Sequence, residues 1–171
     1  MTNSDNFGNS TALLNSWKQL RLSMTHDQTD QEHLDKVVEF WSHAPISLHV
    51  LDWDQPHLWP NAWNLMYQNK FDENAVALGM FYSLIYSSDR RWNSQRIEIC
   101  LINSTPKNYQ GLILEVDDRW LLNVEYNRLI DSTKNSRDYI VQQTYDYENN
   151  RYTARYSQDQ SQTKTNDNQI F

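Results

Sequence analysis

The stretch that decides the fold is Asp72-Glu73-Asn74-Ala75-Val76-Ala77-Leu78-Gly79-Met80-Phe81-Tyr82-Ser83-Leu84. Its apolar residues cover most of a helical circumference, so the spacing predicts a helix over 72–87 that is buried on nearly all sides. Gly79 stands in the middle at a cost of about 1 kcal/mol relative to Ala, which points to close approach of another backbone. Strand-like runs follow at Ile97–Ile102, Gly111–Val116 and Arg119–Val124. Asp117-Asp118 suits the two-residue turn between the second and third runs. Asn149-Asn150 suits a hairpin turn between Tyr145–Glu148 and Arg151–Tyr156, because Asn accepts the positive φ angles such turns demand.

Upstream, Leu13, Leu14, Trp17, Leu20, Leu22 and Met24 are spaced as in a helix, and Thr29 with Glu32 forms a capping-box signature. Leu34, Val37, Val38 and Trp41 share one helical face, with Pro45 as the stop, so two N-terminal helices are expected to pair. Ile46 to Asp54 alternates in the manner of a short strand. Trp59-Pro60-Asn61-Ala62-Trp63 reads as the start of a helix running to Asn69, since proline is tolerated in a first helical turn. The class is therefore α+β: a helical pair, a buried central helix and an antiparallel sheet. The expected organisation is a flexible arm over 1–11, one domain over 12–156 and a polar tail over 157–171.

Composition narrows the function classes. The 171 residues suit one domain, and 22 of them are Trp, Tyr or Phe, enough to build a core in a polar chain. Eighteen Asn and 13 Gln stand against 3 Gly, so Asn is the main source of turn residues. The net charge of −7 comes with no block of like charge, which disfavours nucleic acid as a partner. No apolar run approaches the ~20 residues a membrane span requires. Gly8, Gly79 and Gly111 cannot form a glycine-rich phosphate loop. Met1 to Thr11 lacks a basic start followed by an apolar run, so no secretion signal is expected. The single Cys100 excludes an internal disulfide.

One buried helix followed by an antiparallel meander, with the Val116-Asp117-Asp118-Arg119-Trp120 hairpin, resembles the core of transglutaminase-like and other papain-like hydrolases. That resemblance implies a Cys at the helix start, a His on the next long strand and an Asp at the end of the strand after it. Here Asp72 or Glu73 falls at the Cys position, Tyr109 or Gln110 near the His position, and Asn123 or Glu125 near the Asp position. A thiol hydrolase needs a thiolate beside an imidazole base. A carboxylate at a helix start stabilises the helix dipole instead. The expectation is therefore a chain that is not an enzyme. Trp59 to Tyr86 also resembles small virion proteins of contractile-tailed bacteriophages.

These readings converge on a non-catalytic structural or interaction subunit of a larger assembly, in a phage virion if that likeness holds. Its location would be the host cytoplasm during assembly, or the virion. Other protein subunits are the expected partners, and Trp17, Tyr152, Tyr156, Ile170 and Phe171 are the candidate partner-binding residues. No cofactor is implied. His43, His49, Asp52, Asp54 and His57 are the densest set of metal-type ligands, but their spacing matches no strong metal motif. Two alternatives stand. A thiol hydrolase or amidotransferase would use Cys100 with an upstream histidine. A carbohydrate- or nucleic-acid-binding module would stack its ligand on Tyr139, Tyr145, Tyr147, Tyr152 and Tyr156, with Arg137, Arg151 and Arg155 beside them.

Overall fold

The central helix α4 (Glu73–Ile85) begins at Asp72, whose side chain accepts the Ala75 N–H. Every residue from Ala75 to Leu84 is buried. That burial is possible because the helix lies between a helical layer and a sheet. The structure, a computed structural model, describes residues 6–125 and 128–155.

The helical layer consists of α1 (Ser10–Ser23), α2 (Asp30–Trp41) and α3 (Ala62–Gln68). Each start is capped by a side chain from the preceding residue: Asn9, Thr29 and Asn61. Thr29 and Glu32 form the reciprocal capping box expected of them. Helix α2 stops at Trp41, ahead of Pro45, and Asn69 closes α3 in the left-handed region at φ 49°. Pro60 lies just outside α3, before the Asn61 cap.

Six antiparallel strands form one sheet in the order β4-β3-β2-β1-β5-β6. They are β1 (Ile97–Ser104), β2 (Tyr109–Val116), β3 (Trp120–Glu125), β4 (Arg128–Asp131), β5 (Ile140–Glu148) and β6 (Arg151–Arg155). Asp117 and Asp118 have φ of 52° and 54°, and Asn149 and Asn150 have 50° and 60°, so both two-residue turns have the expected left-handed geometry. Ile97, Ile99, Leu101, Leu112, Leu114, Val116, Leu122, Tyr145 and Tyr152 join α4 in the main core. The alternate residues Cys100, Ile102, Ile113 and Leu121 form a smaller cluster on the other face.

Four expectations change. Residues 46–54 are not a strand: a single parallel bridge joins Ile46 to Phe71, and the amides of Val50 and Leu51 go to the Asp72 carboxylate instead of to a neighbouring strand. The neighbour that crowds Gly79 is the ring of Trp41, not backbone. Residues 7–11 are not part of a flexible arm, because Phe7 is buried against Phe40, Trp41 and Phe71 and α1 starts at Ser10, while residues 1–5 lie outside the described ones. Strand β4 and the first half of β5 were not anticipated.

Candidate functional site

Strands β2 and β3 pair only at Leu114–Leu122, Glu115–Leu121 and Val116–Trp120. Beyond that ladder Asn123 takes a left-handed φ of 69°, and the strands part. The first turn of α4 seats in the opening. Asn74 Oδ1 accepts the Leu112 N–H at 2.9 Å, and Asn123 Nδ2 donates to the carbonyls of Leu112 at 2.9 Å and Glu73 at 2.8 Å. Two amide side chains thus satisfy the Leu112 backbone where a strand neighbour is missing.

Asp72 is buried at the same place and fully engaged. Its Oδ1 accepts the Ala75 N–H at 2.8 Å, while Oδ2 accepts those of Val50 at 2.7 Å and Leu51 at 2.9 Å. One carboxylate therefore caps α4 and pins the 46–54 segment to it. Tyr109 opens β2, and its ring lies over Gly111, where any side chain would overlap the phenol. Burial, with Glu73 and Asp72 nearby, pushes the Tyr109 phenol up to about 12. The structure thus brings Asp72, Asn74, Tyr109 and Asn123 to one place. Gln110 is drawn away to Gln142 at 2.7 Å, and Glu125 to Lys107 at 3.4 Å and Arg128 at 3.5 Å. Asn74 was missed by sequence reasoning, which had no signal for the parting of β2 from β3.

Cys100 lies elsewhere, buried in the outer-face cluster of β1. Burial first, then Glu98 and Glu115, pushes its thiol far above the ordinary range. Four of the five histidines are engaged outside the sheet. His33 bonds the Trp92 indole at 3.1 Å, His26 bonds Asp89 at 2.9 Å, His43 contacts the Glu39 carbonyl at 2.9 Å and His49 pairs with Asp52 at 3.0 Å. The Cys100–histidine arrangement that a thiol hydrolase needs is not assembled. Among the described residues no three His, Cys, Asp or Glu side chains converge as a metal-holding group.

Of the candidate partner-binding residues, Trp17 is fully buried, with its indole bonded to Ser83, and Tyr152 is packed against Trp59, Phe81 and Tyr147. Both rings serve the core. Tyr156, Ile170 and Phe171 lie outside the described residues. Of the tyrosines considered for stacking a ligand, Tyr145 is likewise buried, its hydroxyl donating to the Trp53 carbonyl at 2.8 Å. Among the described residues no helix is long and apolar enough to cross a membrane.

No protein-family model matches the sequence, and no curated protein is detectably similar to it. Solved structures are. LapG of Legionella pneumophila superposes with a TM-score of 0.64 at 14% identity, covering 80% of this chain and 74% of LapG. Its EGTA-treated form gives the same values. The calcium-bound form gives 0.61 at 13%, over 77% and 72% of the two chains. The core is transglutaminase-like.

The expected fold class therefore stands, with LapG as its solved counterpart. The expectation that the chain is not an enzyme does not. LapG is a cysteine protease of transglutaminase-like fold, so the shared architecture is one that carries chemistry. At 14% identity the likeness establishes the fold, and residue roles do not transfer with it. The likeness to phage virion proteins has no counterpart among these structures.

Proposed function

We propose that the chain recognises a protein partner, as a subunit of a larger assembly, through the face formed by α1 and α3. The observation that carries this reading is the group Trp63, Tyr67 and Arg21. Trp63 is 53% exposed and Tyr67 72% exposed, one helical turn apart on α3. Beneath them Trp17 is buried and meets Trp63 edge-on, with ring centroids 5.2 Å apart. The Arg21 guanidinium lies 3.9 Å from the Trp17 ring and 5.5 Å from the Trp63 ring.

Arg21 makes no ion pair among the described residues, and its Nε is buried without a hydrogen-bond partner. Burial accordingly lowers its pKa. Trp, Tyr and Arg are the residues that most often anchor protein interfaces, because large rigid rings exclude water around a directed charge. Here the rings are held in place from below by Trp17, so little freedom is lost on docking. LapG, as a protease, acts on proteins, and a protein partner for this chain is a molecule of the same kind.

The test replaces Trp63 and Tyr67 by Ala in the full chain and follows the native complex by size and cross-linking in the source extract. Loss of co-migration, with the thermal unfolding of the isolated chain unchanged, supports the reading. A double variant that enters the same complex as the parent chain rules it out.

A further inference from the structure

The outer face of the sheet carries a pocket of about 400 Å³. We propose that it binds a small ligand with an aromatic or branched aliphatic body and one terminal carboxylate. The helices cover the opposite face of the sheet. Here Ile102, Tyr109, Leu121, Val124, Ile130 and Tyr139 form an apolar lining that is open among the described residues. A pocket of this size, with an apolar floor and polar groups around it, suits a small molecule that has both an apolar body and a polar end.

Two cations specify the ligand. Lys107 and Arg128 both line the pocket and share a single carboxylate, Glu125, at 3.4 and 3.5 Å. Those separations exceed the ~2.7–2.9 Å of a tight charge-assisted bond, so each cation has capacity for a second acceptor. Asp138, the other acid of the lining, is exposed to solvent. The Tyr139 hydroxyl is sealed from the pocket with no hydrogen-bond partner among the described residues, so Tyr139 contributes its ring to the lining. A carboxylate ligand supplies an acceptor for both cations, and its apolar body covers the aliphatic floor.

The probe is 4-phenylbutanoate, titrated into the full chain by NMR and calorimetry. Saturable shifts at Lys107, Tyr109, Val124 and Glu125, with a Kd of about 1 mM or tighter, are expected. The combined Lys107→Met and Arg128→Met variant should weaken binding by about tenfold or more, as should replacing the probe with 4-phenylbutan-1-ol. Tyr139→Phe, which keeps the ring and removes only a sealed hydroxyl, should leave binding unchanged, and Val124→Trp should abolish it by filling the floor. Thermal unfolding of each variant confirms that the fold persists; should Val124→Trp fail to fold, the surface pair Lys107 and Arg128 decides. Equal affinity for the alcohol and the acid, or undiminished binding by the Lys107/Arg128 variant, overturns the carboxylate assignment. Shifts confined to other regions, or none up to about 10 mM probe, overturn the pocket itself.

Discussion

Asn123 Nδ2 donates to the Leu112 carbonyl at 2.9 Å and so takes the place of a strand neighbour where β3 leaves β2. The same amide reaches the Glu73 carbonyl at 2.8 Å, so one side chain ties the sheet to the start of α4. The backbone conformation makes the residue doubly specific. At φ 69° Asn is tolerated far better than residues lacking its short polar side chain.

Asn123→Gly and Asn123→Ala should separate these two roles. Glycine keeps the backbone geometry and loses both hydrogen bonds, at a cost of about 1–3 kcal/mol. Alanine adds the left-handed strain and should be about 1 kcal/mol worse again. Urea unfolding of the two variants checks the order. Equal stability of Gly and parent would show that these bonds contribute nothing net.

At Gly79 an added methyl would overlap the six-membered ring of Trp41. Gly79→Ala should raise intrinsic helix propensity by about 1 kcal/mol. It should nonetheless destabilise the protein, because overpacking a rigid core costs about 1–3 kcal/mol and the Trp41 indole is anchored by its bond to Ser83. Adding Trp41→Phe should recover part of the loss, which equilibrium unfolding of the double variant measures.

The features legible in the sequence are those set by local chemistry. The Thr29–Glu32 box, the Asp72 cap, the Asp117-Asp118 and Asn149-Asn150 turns and the apolar girth of α4 each follow from residues within a few positions. Element order was enough to bring Asp72, Tyr109 and Asn123 to one end of α4. Contacts distant in sequence were not legible. Residues 46–54 alternate like a strand, yet Asp72, some twenty positions on, takes their amides. Trp17 and Trp63 are the same residue type, and only the stacking of α3 on α1 buries one and exposes the other. Asn74 acquires its partner solely because β2 and β3 diverge.

Alkaline pH should unfold the protein through its tyrosines. Burial, the leading cause in each case, pushes the phenols of Tyr109 and Tyr139 up to about 12, and those of Tyr82, Tyr147 and Tyr152 rise in the same direction. A phenol whose pKa is higher in the folded chain than in the unfolded chain contributes its full stability below pH 10. That contribution declines as pH climbs through about 12, since the unfolded chain loses the proton first. Tyrosinate absorbance and ellipticity should therefore change together between these limits. Complete tyrosine ionisation with the fold intact would contradict the burial.

Cys100 should be slow to alkylate in the folded protein. Its thiol is buried and held protonated by its apolar surroundings and two nearby glutamates, and thiolate is the reactive form. Iodoacetamide at neutral pH should label it in urea and leave it largely unmodified without urea, as mass spectrometry can read directly. Rapid native labelling would return Cys100 to the list of reactive groups.

The most consequential single atom for stability should be Ser83 Oγ. It accepts the indole N–H of Trp17 at 3.0 Å and of Trp41 at 2.9 Å, and it donates its own proton to the Gly79 carbonyl at 2.7 Å. All four residues are buried, so no water stands ready to replace a lost partner. Ser83→Ala removes almost no volume but strands two indole donors at once. At about 1–3 kcal/mol for each unsatisfied group, the loss should reach about 2–5 kcal/mol, a large share of the ~5–15 kcal/mol that holds a domain together. Truncation of a contact would give additive costs, whereas a shared acceptor would not. Trp17→Phe in the Ser83→Ala background removes one of the stranded donors, so the double variant should be more stable than the sum of the two single losses implies. A strictly additive cycle by urea unfolding would show that the indoles find other partners and that Ser83 does not join α1, α2 and α4 as described.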